Sequence, residues 1–191
     1  MNPLTDDDLV RMYREGNVQA FDVIFDRHHL TVYRWALALL HDVHKAEDVL
    51  QEAFAAAAQA LPRYESRGRF RAWLLRIVRN HCFNRIVSEG NRIVIAGSNV
   101  LEMLEPASNE PSPAERAAAK DEHQSIADAM AELPVRQREA LTLYALEQMQ
   151  YDEIAEAMEM PINTVKTLIH RARAHLAVRL EEYRKETHNG L

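Results

Sequence analysis

Residues 67–86 read RGRFRAWLLRIVRNHCFNRI, with six arginines and no carboxylate, in a chain whose formal charge is −6. Guanidinium groups at Arg67, Arg69, Arg71, Arg76, Arg79 and Arg85 can follow a phosphate backbone, because each such contact neutralises a phosphate and releases counterions. The nearby rings of Tyr64, Phe70 and Trp73 can stack on bases. Stacking is worth ~1–3 kcal/mol per base and requires single-stranded nucleic acid. Packing competes with stacking here, since Phe70, Trp73, Leu74 and Ile77 stand at the spacing of a buried helix face. Trp73 is therefore assigned mainly to packing or a wedge, and Tyr64 and Asn80 are the candidates for base contact.

A second acid-free window runs from Met160 to Leu180 and holds Lys166, Arg171, Arg173 and Arg179. Its setting is a helix over 137–146, a short amphipathic helix over 151–158, a turn over 159–163 and a helix from Thr164 to about Leu180. That is the length pattern of a helix-turn-helix. Ile154, Ala155, Val165, Ile169 and Leu176 would lock the two helices together, and Thr164 would cap the second. Lys166, Thr167, His170, Arg171 and Arg173 then share the exposed face, where guanidinium can pair bidentately with guanine in the major groove. A tight helical hairpin with a solvated basic face fits the same pattern.

Asp48, Gln51 and Glu52 fall at i, i+3 and i+4 and so share one helix face. Such a stripe is either a partner-docking surface or simply solvated. His41-x-x-His44 followed by Glu47 and Asp48 has ligand-type residues, but its place at a break between helices favours surface histidines. The chain shows no phosphate-cradling glycine loop and no Ser/His/Asp arrangement. No metal, cofactor or enzymatic activity is expected.

The elements that position these groups follow from composition. In 191 residues, 47% are hydrophobic and only 5 are glycine, which favours an all-α chain, and the length suits one large domain or two small ones of roughly 80 residues. Charge is strongly partitioned: residues 63–92 hold eight basic and two acidic side chains, whereas 93–134 hold two and eight. Thr5 and Asp8 read as a capping box opening a first helix. Further helices are expected at 45–61, stopped by Pro62, and at about 70–87. Residues 88–113 collect glycines, prolines and acids and read as linker, with helical patterning resuming near Ala114. No stretch reaches the ~20 apolar residues of a membrane span. The single cysteine, Cys82, excludes an intrachain disulfide, and a cytoplasmic location is expected.

The order AEDVLQEAF, LPRYESRGRFRAWLLRIVRN, a linker, then LPVRQREALTLYALEQMQYDEIAEAMEMPINTVKTLIHRARAHL resembles the extracytoplasmic-function (ECF) sigma factors of the sigma-70 family over nearly the whole chain. The resemblance implies a region 2 bundle over 1–92, a linker over 93–115 and a region 4 helix-turn-helix over 116–191. It implies binding to core RNA polymerase at the β′ clamp and β flap, and promoter-specific initiation through duplex and melted DNA. Carried onto this sequence, Asp48, Gln51, Glu52 and Phe54 match the helix that docks on the β′ clamp coiled coil. Tyr64 to Arg69, including Arg67, match the loop that takes a flipped minus-ten base. Trp73, Arg76, Asn80 and Asn84 match the helix that reads and melts that element. Lys166, Thr167, His170 and Arg171 match the recognition helix for the minus-thirty-five element, with Thr164 and Arg173 beside them. An anti-sigma factor is an expected partner. The family often has Gly where Asn163 stands, and Asn is expected to supply the left-handed turn. Leu168 replaces a frequent Arg, Gln150 a frequent Ser and Asn84 a common Asp. The alternative is a helix-turn-helix regulator acting on duplex DNA without polymerase, which has no use for the Asp48 face.

Overall fold

Thr5 starts α1 (Asp6–Arg14) with a reciprocal cap. Its Oγ1 accepts from the Asp8 amide at 3.2 Å, and Asp8 Oδ2 accepts from the Thr5 amide at 3.1 Å. The computed structural model describes residues 4–65, 68–88 and 125–189, and every regular element among them is helical. The expected linker at 93–115 lies outside the described residues, as does the start of the helix expected from Ala114.

α2 (Gln19–Leu40) packs against α1, α3 (Val43–Ala60), α4 (Phe70–Ser88) and α6 (Val135–Ala145). It buries Ile24, Val32, Trp35, Leu37 and Leu39. His41 ends it in a left-handed conformation, φ +52°, and Asp42 caps α3 (Val43–Ala60) by accepting from the Lys45 amide at 3.1 Å. That cap moves the helix start two residues ahead of the expected Lys45. Pro62 does not simply stop the chain; Leu61–Arg63 tighten into a 3₁₀ turn, which tolerates a proline where its missing N–H is not needed. α4 (Phe70–Ser88) then buries Phe70, Leu74, Leu75, Val78 and Cys82.

The second unit comprises α5 (125–132), α6 (Val135–Ala145), α7 (Tyr151–Ala157) and α8 (Ile162–Asn189). Two expectations are corrected here. α8 begins at Ile162, directly after Pro161, so Thr164 lies inside the first turn and donates its amide to Pro161 O at 2.9 Å rather than capping the helix. The left-handed residue of the turn is Glu159, φ +52°, while Asn163 is helical. The strain that glycine would relieve therefore sits on a glutamate.

The two units share one buried cluster, with α2 and α4 of the first against α6 and α7 of the second.

Candidate nucleic-acid interface

α8 presents two faces. Val165, Ile169 and Ala172, at i, i+4 and i+7, are buried, with Ile154 and Ala157 of α7 also buried in the same cluster. Thr164, Lys166, Thr167, His170, Arg171 and Arg173 are all exposed. Thr167 Oγ1 donates to Asn163 O at 2.8 Å, which settles its rotamer against the helix. Lys166, Ile169, His170, Arg173, Ala174 and Tyr151 line an open concavity of about 370 Å³. Tyr151 in this lining is stacked on Tyr144 with ring centroids 5.2 Å apart, and Lys166 Nζ stands 5.8 Å from its ring centroid. The lining thus combines cationic, aromatic and aliphatic side chains.

The arginine-rich stretch is differently placed. Tyr64 is only 8% exposed. Its ring packs 5.6 Å from Phe70 and 4.7 Å from Trp73, centroid to centroid. In this arrangement it belongs to the core rather than to the surface, as does Phe70. Asn80 and Asn84 are exposed on α4, and Trp73 is half-buried. Arg67 lies outside the described residues. The loop leading into α4 is held from α1: the Arg14 guanidinium donates to Leu61 O, at 3.1 and 3.2 Å, and to Tyr64 O. Asp7 Oδ2 accepts from the Gly68 amide at 2.8 Å, where φ of +68° suits glycine.

The remaining described arginines of this stretch before Asn80 each meet an acid of the second unit. Arg69 pairs with Asp152 at 3.0 Å and Glu156 at 3.1 Å, and Arg76 with Glu159 at 3.6 Å. Arg71 donates to Glu147 Oε2 at 3.0 Å and to its backbone oxygen at 2.7 Å. Arg79 donates to Glu139 Oε1 at 2.6 Å and lies over the Phe83 ring. None of these acids was singled out from sequence. The available signal was that α6, α7 and their turns carry acids at the same density as α4 carries arginines.

On α3, Asp48, Gln51 and Glu52 are exposed, whereas Phe54 is buried against Phe21 and Phe25. Phe54 therefore shapes the helix from beneath and does not share their surface. Arg85 bridges Asp48 at 3.4 Å and Glu52 at 2.7 Å, and His81 approaches Glu52 at 3.2 Å. His44 is exposed and lies 3.8 Å from Glu47. Among the described residues no group of three metal-ligating side chains converges.

Several buried groups are strongly perturbed. Burial pushes the Glu139 carboxyl up to about 7, although Arg79 and Arg136 pull it down. Burial, with the charge of Arg138, lowers His41 to about 4. Arg138 itself, 1% exposed, is lowered to about 10 by burial and donates to Ala131 O at 3.1 Å. The Cys82 thiol is pushed up to about 12, first by burial and then by the charge of Glu139.

Residues 24–92 match sigma-70 region 2, and residues 123–176 match sigma-70 region 4. The chain is 31% identical to the RNA polymerase sigma-H factor of Pseudomonas aeruginosa over 187 residues, 95% of this chain and 96% of that protein. It is 30% identical to the ECF RNA polymerase sigma-E factor of Escherichia coli over 180 residues, covering 89% and 91% respectively. Its fold is similar to that of CnrH, solved in complex with the cytosolic domain of CnrY, with a TM-score of 0.69, 26% identity, and coverage of 93% of this chain and 97% of that one. No described helix is long and apolar enough to cross a membrane. Two family segments in order, near-complete coverage of named relatives and an all-helical fold agree: the chain belongs to the extracytoplasmic-function sigma factors of the sigma-70 family.

Proposed function

We propose that this chain docks on core RNA polymerase and directs it to promoters by reading a minus-thirty-five duplex and capturing a melted minus-ten strand. The observation that carries the reading is the split of α8, with Val165, Ile169 and Ala172 buried while Lys166, Thr167, His170, Arg171 and Arg173 stand exposed on the outer face. A helix held from behind with cationic and hydroxyl tips forward can enter a major groove and meet both phosphates and base edges. Arg69, Arg76, Asn80 and Asn84, with the loop before them, supply the strand-capturing surface. Trp73 serves that surface as scaffold or wedge, and Tyr64 joins it only where the aromatic cluster rearranges. Asp48, Gln51 and Glu52 supply the polymerase-facing stripe on α3. Residues 1–92 and 116–191 act as the two binding modules, joined by 93–115. Their modest separate affinities combine once polymerase fixes their spacing. The catalysis belongs to polymerase, in a cytoplasmic setting. By analogy with CnrH bound to CnrY, a protein regulator of the anti-sigma kind is the further partner.

Reconstituted transcription tests the reading. Core polymerase plus the chain should initiate at a promoter mapped after overexpression, and neither component alone should do so. Asp48→Ala should lower polymerase binding while sparing duplex binding, and Arg171→Ala should do the reverse. Duplex binding with no polymerase-dependent initiation would instead favour the regulator that acts alone.

A further inference from the structure

Asp48 and Glu52 stand four residues apart on α3, and His81 and Arg85 stand four residues apart on α4, so each pair shares one face of its helix. The packing of α3 on α4 brings the two faces together. Arg85 Nη1 approaches Asp48 Oδ2 at 3.4 Å, and Arg85 Nη2 donates to Glu52 Oε1 at 2.7 Å. His81 Nδ1 lies 3.2 Å from Glu52 Oε2. Both oxygens of Glu52 are therefore held from α4, and one guanidinium bridges both acids. Among the described arginines of residues 67–86, Arg85 alone turns to α3 rather than to the second unit.

Exposure orders the cluster in depth. The Arg85 side chain is 25% exposed and its Nε is buried, whereas Asp48 and Glu52 are 60% and 48% exposed. The cation thus lies low, with the carboxylates standing outward from it. Val49 and Ala53 of α3 and Cys82 and Ile86 of α4, adjacent to these four residues in sequence, are buried and fix the two backbones.

Ion pairs as exposed as these add little to stability. What the bridge supplies is order. A surface glutamate ordinarily samples many rotamers, and a partner that binds it must arrest that motion. Here the arrest precedes binding. Net charge pulls in the opposite direction, because Arg85 makes the stripe less acidic and so less attractive to a basic surface. Order and charge therefore predict opposite consequences of removing Arg85.

We propose that Arg85 is a positioning residue for polymerase docking: with His81 it sets Asp48 and Glu52 in fixed outward orientations, so that a basic surface of core polymerase meets ordered carboxylates on a patch spanning α3 and α4. This rests on the docking reading above, to which it adds two residues of α4.

Surface plasmon resonance of the full-length chain on immobilised core polymerase tests it. Arg85→Met keeps an apolar stem and removes the fork. It should associate as fast as wild type or faster, and dissociate about fivefold faster or more. Arg85→Lys keeps the charge without the planar fork, so it should associate like wild type and still dissociate about threefold faster. Wild-type dissociation of either variant would overturn the proposal. The melting temperature of Arg85→Met should move by less than about 3 °C, since exposed pairs contribute little. A larger fall would attribute the faster dissociation to a loosened bundle and would also overturn it. Asp48→Ala and Glu52→Ala judge the docking reading separately. If both bind polymerase as wild type does, that reading falls. If both dissociate faster and Arg85→Met does not, the docking stripe stands and the positioning role falls.

Discussion

Arg79 Nε donates to Glu139 Oε1 at 2.6 Å across the seam between α4 and α6, with the carboxylate fully buried and the guanidinium nearly so. The two partners are not equivalent. Arginine keeps its charge under all ordinary conditions, whereas the buried carboxyl can take a proton near neutrality. Glu139→Ala therefore strands a charge, and is expected to cost about 3–5 kcal/mol in urea denaturation. Arg79→Ala should cost less at pH 6 than at pH 8, because at the lower pH the orphaned carboxyl is neutral. A cost independent of pH for Arg79→Ala would contradict this account of the pair.

Two buried groups give opposite pH dependences. Glu139 has a folded value of about 7, above the ordinary 4.5, so its contribution to stability is full below pH 4.5 and is lost as pH rises toward 7. His41 has a folded value of about 4, below the ordinary 6.5, so its contribution is full above 6.5 and is lost as pH falls toward 4. Glu139→Gln should leave stability rising with pH between 4 and 6.5. His41→Asn, which keeps a residue tolerant of the left-handed backbone, should leave it falling between 4.5 and 7. Thermal denaturation across pH 4–8 reads both slopes, and slopes of the same sign in the two variants would refute the assignment.

Arg14 ties the loop before α4 to α1 through Leu61 O and Tyr64 O. Arg14→Ala should cost about 1.5–3 kcal/mol, as expected for hydrogen bonds to a charged donor. Hydrogen exchange should accelerate over 61–69 more than over α2, and Arg14→Lys should recover part of the protection. Uniform acceleration across the first unit would instead mark a general loss of stability.

On the outer face of α8, Arg171→Ala is expected to weaken promoter-duplex binding by about 1–3 kcal/mol and to relax preference at one base pair. Lys166→Ala should weaken all sequences alike and reduce the salt slope of log affinity by about 0.9. Titrations on matched and scrambled duplexes at several salt concentrations distinguish the two. Indistinguishable behaviour of the two variants would count against separate base-reading and phosphate-binding roles.

Local rules carried much of this architecture. The Thr5–Asp8 cap, the apolar spacing of Ile154, Val165 and Ile169, and the aromatic packing at Trp73 were all readable from residue type and period. Family motifs pointed to faces on α3, α4 and α8, and Asp48, Gln51, Glu52, Asn80, Asn84, Lys166 and Arg171 stand exposed there. The start of α8 was missed because Thr164 looked like a cap, whereas Pro161, with its fixed φ, already sets the first turn. Tyr64 was a candidate for base contact, because aromatic identity alone does not say which side of a loop a ring takes. The pairing of α4 arginines with Glu139, Glu147, Asp152, Glu156 and Glu159 was beyond sequence reading for a different reason. It joins residues 60 or more positions apart, and no local periodicity encodes which charged face meets which.

Cys82 lies on α4, fully buried and close enough to Glu139 to feel its charge, with its thiol pushed up to about 12. It is the only cysteine in the chain. Thiolate is the reactive form, so in the folded chain this sulfur is both shielded and protonated. The unaltered protein thus carries its own timer: an aromatic disulfide reagent can react only as fast as the helices around α4 separate. The colour change then reports that opening directly, with no label introduced.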